Sequence, residues 1–314
     1  MSGSTSISNN FRSGFIALIG RPNVGKSTLL NELIGEKVAI TSPVAQTTRN
    51  RLRAILSTPT AQFVFVDTPG IHKPHHLLGE RLVKRARSTI GQVDAVMLLF
   101  EACHKPGRGD AFIVRLLKEQ KIPVLVVLNK SDLVEEEKFV QIKDQYQELL
   151  IDSDWPILFC SAIKGKGCNE LITLLEDFLP LGPHLYPSDV VSDQPEKLLL
   201  AELIREQVLL NTREEVPHSV AVNIERLEEM PLSKKQVKKE PCTAILATVL
   251  VERKSQKGII IGKNGSMLKT IGMEARIQMQ KLINGPIYLE LFVKVVPNWR
   301  SKPAKLAELG YEDE

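Results

Sequence analysis

Residues 20–28 of this chain have the types and the spacing that bind phosphate groups. These residues read GRPNVGKST and match the pattern GxxxxGK[ST], between an apolar segment and a helix-like segment. Glycines let backbone N–H groups turn towards phosphate oxygens, and the N-terminus of the following helix adds positive potential. We expect Lys26 to contact the β- and γ-phosphates and Ser27 to bind Mg²⁺. The residues predicted to bind the nucleotide here are Gly20, Arg21, Pro22, Asn23, Val24, Gly25, Lys26, Ser27 and Thr28.

A second segment, NKSD at residues 129–132, distinguishes guanine from adenine. A carboxylate at Asp132 can accept hydrogen bonds from the N1–H and 2-amino groups of guanine, and adenine offers neither donor in that geometry. An unpaired buried carboxylate is costly, so the discrimination is strong. We predict that Asn129, Lys130 and Asp132 bind the base. The alternative is a polar turn in which Asp132 caps a helix.

A DxxG segment lies between these two motifs, at Asp67, Thr68, Pro69 and Gly70. We expect Asp67 to hold Mg²⁺ through a water molecule and the N–H of Gly70 to contact the γ-phosphate. The prediction of nucleotide contacts extends to the next residue, Ile71. Alone, DxxG is usually only a turn; its position between the other motifs makes it specific.

Two further segments are interpreted as nucleotide-binding because of their positions relative to these three motifs. Thr47 and Thr48 lie in a polar segment where a switch threonine would reach Mg²⁺ and the γ-phosphate; the alternative is a surface loop. Ser161 and Ala162 follow an apolar segment and would line the base; the alternative is a plain strand-to-helix loop. The predicted catalytic residues are Lys26, Thr48 and Gly70, and the predicted Mg²⁺ ligands are Ser27, Thr48 and Asp67.

Continuously apolar, β-branched segments alternate with helix-like segments in the first half of the chain, which predicts a mostly parallel α/β sheet with helices on both faces. The predicted strands are Phe15–Gly20, Gln62–Asp67, Ala95–Phe100, Pro123–Asn129 and Pro156–Cys160, with Leu52–Leu56 at an edge. The predicted helices are Lys26–Gly35, Gly79–Gly91, Asp110–Gln120, Glu136–Leu150 and Asn169–Leu179.

The pattern changes after a cluster of prolines and glycine between residues 180 and 187. We predict a disordered arm at 1–13, a GTPase domain at 14–182, a linker at 183–196, a smaller α+β domain at 197–300 and a tail or helix at 301–314. The elements predicted in the smaller domain are a helix at Glu196–Asn211, a strand containing Val220, Val222 and Ile224, a strand at Ala244–Val251, a turn at Gly258–Ile261, a helix at Ser266–Ile283 and a strand at Ile287–Val296.

The smaller domain is basic. From Lys234 to Lys305 the chain has fifteen Lys and Arg residues against four Asp and Glu residues, which points to a polyanionic partner. The alternative is a solvated basic face on an inert domain, and charge alone does not decide between them. A GxxG loop, Gly262–Gly265, lies within this stretch and before a predicted helix. Such a tetrapeptide alone is expected about once by chance in this chain. This stretch resembles a KH domain, and the resemblance implies RNA binding by Gly258, Ile261, Gly262, Lys263, Asn264, Gly265 and Lys269.

Residues 14–180 resemble the translation-factor-related class of small GTPases, whose pattern favours Thr48 over Thr47 as the Mg²⁺ ligand. The second half resembles a type II KH domain, in which the GxxG loop clamps a nucleic-acid backbone. Together GRPNVGKSTLLN, TTRNR, DTPGIH, NKSD and IIIGKNG resemble the Era family of bacterial GTPases over nearly the whole chain.

The resemblance implies an enzyme that hydrolyses GTP to GDP, with Mg²⁺, and a switch that binds 16S ribosomal RNA near its 3′ end. It implies a role in assembly of the 30S ribosomal subunit and in rRNA maturation. It also implies a cytoplasmic protein with peripheral contact at the inner face of the cell membrane, and we expect a monomer. The sequence has no lipidation motif or clear amphipathic anchor for that contact.

Composition and motif content limit the other function classes. With 314 residues, 43% hydrophobic and 25% charged, the chain has the composition of a globular protein of about two domains. Four cysteines without a CxxC pair disfavour structural zinc and a disulfide framework, and fit a reducing cytoplasm. A nucleotide sensor with incidental hydrolysis and a structural ribosome-binding module stay open. A metabolic P-loop kinase is disfavoured because NKSD reads guanine.

The residue after Gly70 generates a prediction about hydrolysis. Ras-like GTPases place there a glutamine that orients the attacking water, whereas the side chain of Ile71 cannot hydrogen-bond water. In related GTPases with an asparagine at the position of Asn23, a potassium ion beside the phosphates stabilises the developing charge. We therefore expect K⁺ to accelerate GTP hydrolysis relative to Na⁺ at equal ionic strength, and Asn23→Ala to remove the difference.

Phosphate release measured in the two salts tests this hypothesis. Equal rates would leave Asn23 with the alternative role of shaping the phosphate-binding loop. They would also point to the RNA or the ribosomal subunit as the activator of hydrolysis.

Overall fold

The computed structural model describes residues 10–44, 52–68, 70, 88–230, 242–283 and 285–309. The chain divides into two compact units. Unit 1 comprises the chain up to Ala39 and residues 45–193, and unit 2 comprises Ile40–Val44 and the chain from Gln194 onward. Among the helices described, none combines the length and the hydrophobicity that crossing a membrane requires. Residues 1–9 of the predicted arm lie outside the described residues. At its end the prediction of disorder is wrong, because Phe11 is buried and Arg12 and Ser13 begin the first strand.

Unit 1 contains a six-stranded sheet with the strand order β2-β3-β1-β4-β5-β6. Strand β2 lies at one edge, as the sequence predicts; it pairs antiparallel with β3, and every other pair is parallel. Most side chains of β3, β4 and β5 are buried, because helices cover both faces of a parallel sheet. The strands are β1 Arg12–Gly20, β2 Leu52–Ser57, β3 Ala61–Asp67, β4 Ala95–Glu101, β5 Val124–Asn129 and β6 Ile157–Phe159.

Successive residues of β1 enter two different cores. Ile16 and Leu18 pack on one face of the sheet with apolar residues of α1 and α4. Ala17 and Ile19 pack on the other face with residues of α2 and α3. The predicted fold class, with helices on both faces of a mostly parallel sheet, is therefore confirmed. These helices are α1 Lys26–Ile34, α2 Arg108–Lys118, α3 Phe139–Leu149 and α4 Cys168–Glu176, and the predicted helix Gly79–Gly91 lies mostly outside the described residues.

Four of the parallel strands end at the same edge of the sheet. Strand β1 ends at Gly20, β3 at Asp67, β5 at Asn129 and β6 at Phe159. In open α/β sheets this carboxyl edge is where ligands bind. Motifs that are separated by more than a hundred residues in the sequence therefore begin at neighbouring positions in space.

Unit 2 contains a three-stranded sheet with the order β7-β8-β9, covered by helices. Strands β7 and β8 pair antiparallel, whereas β8 and β9 pair parallel. This α+β unit confirms the predicted second domain type. Its elements are α5 Glu196–Asn211, α6 Val216–Ser219, β7 Ala221–Met230, β8 Cys242–Val251, α7 Lys254–Ile261, α8 Ser266–Met279, β9 Ile287–Val295 and α9 Pro303–Glu308.

The predicted turn at Gly258–Ile261 is wrong, because these residues form the last turn of α7. The buried side chain of Gln256 accepts hydrogen bonds from the N–H groups of Glu252 and Arg253, both at 3.0 Å, and so caps the start of this helix. Helix α7 ends at Gly262, whose φ of 72° requires glycine. The short helix completes the α-β-β-α-α-β order of a type II KH domain.

The predicted linker makes hydrogen bonds within unit 1. The backbone N–H groups of Leu185 and Tyr186 donate to Oε1 of Gln62, at 2.7 and 2.9 Å. The side chain of Gln62 is fully buried in β3. The segment around residues 185–186 is therefore held against the start of β3 by a buried polar group.

Unit 2 includes five residues from the first half of the sequence, Ile40–Val44. The side chain of Ile40 is buried in the core of this unit with Leu203, Ile204 and Val208 of α5. Ile40 therefore packs in a different core from Val38 and Ala39, which precede it in the sequence and lie in the core of unit 1.

Ile40 allows a test of this assignment. Truncating a buried isoleucine leaves a cavity and typically costs about 2–5 kcal/mol. We expect Ile40→Ala to speed hydrogen exchange of the backbone amides in α5 and β8, while amides of β3 and β5 keep their rates. Val38→Ala is the matched control, because Val38 is equally buried in the core of unit 1. Faster exchange in β3 and β5 of the Ile40 variant, measured by mass spectrometry, would contradict the assignment.

Candidate functional site

The loop between β1 and α1 has the backbone of a phosphate-binding loop. Asn23 and Gly25 both have positive φ, 66° and 95°. A Cβ at Gly25 would lie 2.3 Å from Nδ2 of Asn129, so only glycine fits there. The Nζ of Lys26 donates to the carbonyl oxygens of Gly20 at 3.1 Å and Arg21 at 2.9 Å. The loop therefore curls around the lysine, and two of its carbonyl oxygens accept hydrogen bonds from the ammonium group.

The electrostatics of Lys26 prepare it for an anion. Burial lowers the pKa of Lys26 to about 8, and the nearby carboxylate of Asp67 opposes that shift. Phosphate oxygens beside the ammonium group favour its charged form. The two carbonyl oxygens carry only partial negative charge. The phosphates of a bound nucleotide can therefore stabilise the positive charge of Lys26 more strongly than these oxygens do.

The DxxG segment joins the phosphate-binding loop through Ser27 and Gly70. The hydroxyl of Ser27 donates to Oδ2 of Asp67 at 3.2 Å, which brings together two oxygen ligands of the kind that Mg²⁺ prefers. The hydroxyl of Thr68 donates to the carbonyl of Leu18 at 2.6 Å. A Cβ at Gly70 would lie 2.6 Å from the backbone N of Pro22, so only glycine permits this approach.

Asn129 connects the base-binding segments to the phosphate-binding loop. Its Nδ2 donates to the carbonyl of Val24 at 2.9 Å, and its Oδ1 accepts from the N–H of Ala162 at 3.1 Å. The neighbouring Lys130 donates from Nζ to the carbonyl of Asn23 at 2.8 Å. Residues 23, 24, 129, 130 and 162 are thus joined in one hydrogen-bonded group.

Asp132 lies at the exposed side of this group. It sits inside the 3₁₀ turn Ser131–Leu133 rather than at its N-cap, which contradicts the alternative of a helix-capping role. Its Oδ1 accepts a hydrogen bond from the hydroxyl of Ser161 at 2.5 Å. A carboxylate fixed by Ser161 and open to solvent is suited to accept two donors from a guanine base.

Sequence reasoning missed two acidic residues behind the site. Glu101, at the end of β4, pairs with Nζ of Lys130, and Asp110 lies 2.8 Å from Nε of Arg21. The hydroxyl of Tyr146 donates to the carbonyl of Glu101 at 3.0 Å. The signal that could have found Glu101 is its position at the carboxyl end of a parallel strand, beside the other motifs.

Several predicted residues lie outside the described residues: Thr47, Thr48, Pro69 and Ile71. Over the described ranges, no group of three or more His, Cys, Asp and Glu side chains could hold a metal ion. Ser27 and Asp67 alone are too few ligands for Mg²⁺, which usually takes substrate phosphates and waters in addition. The residues present therefore fit a metal that arrives with a nucleotide.

The GxxG loop connects α7 and α8 in unit 2. Gly262 and Gly265 have φ values of 72° and 77°, and Asn264 has a φ of 52°. The side chains of Lys263 and Asn264 are exposed. A Cβ at Gly262 would lie 2.7 Å from Cβ of Met267, so this glycine is required for packing, whereas at Gly265 the space is open. The loop therefore presents backbone and lysine to solvent.

Three other predicted RNA-binding residues lie on the flanking helices. Gly258 and Lys269 are exposed on α7 and α8. Ile261 is half-buried and packs against the core of unit 2, so it contributes apolar surface beside the loop. The loop and both helices form a surface of the kind that binds single-stranded RNA in KH domains.

Two family models match this chain. One describes a 50S ribosome-binding GTPase and matches residues 15–130. The other describes a KH domain and matches residues 215–300. The first contains all the nucleotide-binding motifs up to Lys130, and the second contains the GxxG loop.

Known proteins and solved structures match nearly the whole chain. A GTPase Era from Crocosphaera subtropica is 54% identical over 97% of this chain and 94% of its own length. Another from Nostoc sp. is 56% identical over 97% and 91%. A crystal structure of Era in complex with MgGDPNP and nucleotides 1506–1542 of 16S ribosomal RNA superposes with a TM-score of 0.88 at 37% identity, covering 96% of this chain and all of that one.

Asp132 supplies a test of base recognition. Asparagine keeps the shape of the side chain but offers an amide donor, so we expect Asp132→Asn to weaken GTP binding and shift preference towards xanthosine triphosphate, which has an acceptor at position 2. The matched control is Glu137→Gln, which removes an exposed carboxylate nearby in the sequence. Titrations of fluorescent guanosine and xanthosine nucleotides measure both affinities. Unchanged GTP affinity without a gain for xanthosine triphosphate would contradict the guanine assignment.

Proposed function

Because this chain belongs to the Era family of GTPases, we propose that it is a GTP-driven switch that binds 16S ribosomal RNA during assembly of the 30S subunit. The family membership confirms the resemblance found in the sequence. The chain is an enzyme that hydrolyses GTP. The observation that carries the proposal is the hydrogen-bonded group around Asn129, which joins the phosphate-binding loop to the base-binding segments.

We propose the following roles for the phosphate-binding residues. Lys26 exchanges its two carbonyl partners for oxygens of the β- and γ-phosphates, and the positive φ at Gly25 directs backbone N–H groups towards the same oxygens. The N–H of Gly70, held against the loop, contacts the γ-phosphate. These groups stabilise the charge that develops between the β- and γ-phosphates as a water molecule attacks in line.

Ser27 and Asp67 are the residues of the described chain that would hold Mg²⁺, Asp67 through a water molecule. Mg²⁺ neutralises charge on the β- and γ-phosphate oxygens when it is bound. Thr48, outside the described residues, is proposed as a further ligand. A K⁺ ion beside Asn23 remains a separate proposal; the carbonyl of Asn23 already accepts from Lys130 and so is fixed in position.

We propose that unit 2 binds single-stranded RNA through the GxxG loop. Backbone N–H groups at Gly262 and Gly265 approach the sugar–phosphate chain, and Lys263 and Lys269 add positive charge. The relative solved with nucleotides 1506–1542 of 16S ribosomal RNA supports a site near the 3′ end of that RNA. The excess of basic residues in this half of the chain favours the same partner.

The segment Ile40–Val44 supports a link between nucleotide state and RNA binding. It belongs to unit 2, where the N–H and the hydroxyl of Thr41 donate to Oε1 of the buried Glu206 at 2.8 and 3.3 Å. Thr47 and Thr48 follow within four residues of Val44. A γ-phosphate that fixes Thr48 would constrain a short chain segment whose other end is held in the RNA-binding unit.

The cellular setting is proposed from the family alone. We propose that the chain acts in the cytoplasm as a monomer. Peripheral contact with the inner face of the cell membrane stays a prediction from the resemblance. Flotation of the purified protein with anionic vesicles, at low and physiological salt, would measure that contact directly.

The alternative to a switch is a structural module whose RNA affinity ignores the nucleotide. The two are separated by the affinity for a single-stranded oligonucleotide of the 16S 3′ end, measured with a GTP analogue, with GDP and without nucleotide. We expect the affinity with the GTP analogue to differ from the other two. Equal affinity in all three states would favour the structural module.

The GxxG loop is tested in the same assay. Lys263→Asp combined with Gly265→Asp places carboxylates where phosphates approach, so we expect RNA binding at about 0.15 M salt to be lost while GTP binding is kept. The matched control is Lys281→Asp, beyond the opposite end of α8, about 20 Å along a 14-residue helix. Wild-type affinity in the double variant would reject the loop as the RNA site.

A further inference from the structure

Two cysteines flank the loop that contacts the base-binding residues. Cys160 follows β6 directly, and Cys168 is the first residue of α4. Their Sγ atoms are 3.7 Å apart, although eight positions separate them in the sequence. The residues between them include Ser161 and Ala162. The thiols therefore meet at the two ends of the loop that holds Asp132 and Asn129.

The two thiols differ in accessibility and in acidity. Cys160 is fully buried, whereas Cys168 retains 9% of its surface. Cys168 lies at the N-terminus of a nine-residue helix, where the helix dipole favours a thiolate. The hydrogen bond with Cys160 lowers the pKa of Cys168, and that bond together with burial raises the pKa of Cys160. Cys168 is therefore the thiol that a small oxidant reaches and reacts with first.

The backbone of Cys160 is part of the base-binding segment. Its N–H donates to the carbonyl of Leu128 at 2.9 Å, and its carbonyl accepts from the N–H of Ser131 at 3.0 Å. The next residue, Ser161, holds Asp132 through its hydroxyl. A displacement of Cys160 would therefore reach the NKSD segment by two hydrogen bonds, one from Ser131 to the carbonyl of Cys160 and one from Ser161 to Asp132.

We propose that Cys160 and Cys168 form a reversible disulfide that weakens guanine-nucleotide binding. This inference rests on the proposed guanine site. The sulfur atoms must approach from 3.7 Å to about 2.05 Å, the length of an S–S bond. This approach draws Cys160 towards α4 and disturbs the bonds that Ser131 and Ser161 make. Loss of one hydrogen bond to a charged group corresponds to about a tenfold lower affinity.

The oxidant is a peroxide. The Cys168 thiolate attacks one peroxide oxygen, the O–O bond breaks, and the products are a sulfenic acid at Cys168 and hydroxide, which is protonated to water. The Cys160 thiol then attacks the sulfenic sulfur, the S–S bond forms, and a second water leaves with the Cys160 proton. Overall two thiols and one hydrogen peroxide give one disulfide and two waters. A dithiol reverses the reaction by thiol–disulfide exchange.

The test uses the full chain with Cys103→Ser and Cys242→Ser, so that only the pair remains. Nucleotide-free protein is treated with hydrogen peroxide, and the affinity for fluorescent GDP is compared with that of the dithiothreitol-reduced protein. We expect a mass lower by two hydrogens, a cross-linked peptide joining Cys160 to Cys168, and about tenfold weaker GDP binding that dithiothreitol restores. The matched control adds Cys168→Ser, which cannot form the bond and should show no peroxide-dependent change in affinity.

Each outcome decides the proposal. Absence of the cross-linked peptide, or a cross-link with unchanged GDP affinity, overturns it. The same loss of affinity in the Cys168→Ser control also overturns it, since the disulfide could not then be the cause. If the reduced protein does not bind GDP, the proposed function itself fails, which is a different result from a reduced protein that binds GDP and ignores peroxide.

Discussion

The site depends on one buried amide, the side chain of Asn129. It donates to the carbonyl of Val24 and accepts from the N–H of Ala162, so a single residue satisfies polar groups on both sides of it. A buried amide without these partners would be costly, and each partner lies on a different loop. The position of the phosphate-binding loop relative to the base-binding loop is therefore set by this group. Gly25 is required because any Cβ there would collide with it.

The parallel sheet makes that arrangement available. Strands β1, β3, β5 and β6 all end at one edge of the sheet, and each is followed by a loop that begins with one of the predicted nucleotide-binding motifs. The strands are buried on both faces and hold the loop ends in fixed positions. Close approach is then limited only by side-chain volume, which is why Gly70 can contact Pro22. The buried strands of the unit 1 sheet are apolar, whereas the loops that follow them are polar, and the two meet at the carboxyl edge of the sheet.

Unit 2 combines the KH domain match and its GxxG loop with a segment from the first half of the chain. Ile40 completes its core, and the buried Glu206 accepts two hydrogen bonds from Thr41. A buried carboxylate needs such donors, because an unpaired charge in the core would be destabilising. The segment is thus held by apolar packing and by hydrogen bonds together. Residues 40–44, which follow the phosphate-binding motif in the sequence, therefore belong to the same unit as the GxxG loop.

The sequence by itself determined the nucleotide motifs, the mostly parallel sheet with one edge strand, and the family, whereas the antiparallel direction of that edge strand came from the structure. A motif such as NKSD can be recognised because its residues are contiguous and their side chains suit one ligand. Strands that are buried on both faces can be recognised as continuous apolar segments. It mispredicted Gly258–Ile261 as a turn, because the helix there depends on a cap from buried Gln256. Only the tertiary structure brought Cys160 to Cys168, Glu101 to Lys130 and Ile40 into the second unit. No sequence motif relates the residues in these contacts. Their proximity follows only from how the strands, helices and loops pack in three dimensions.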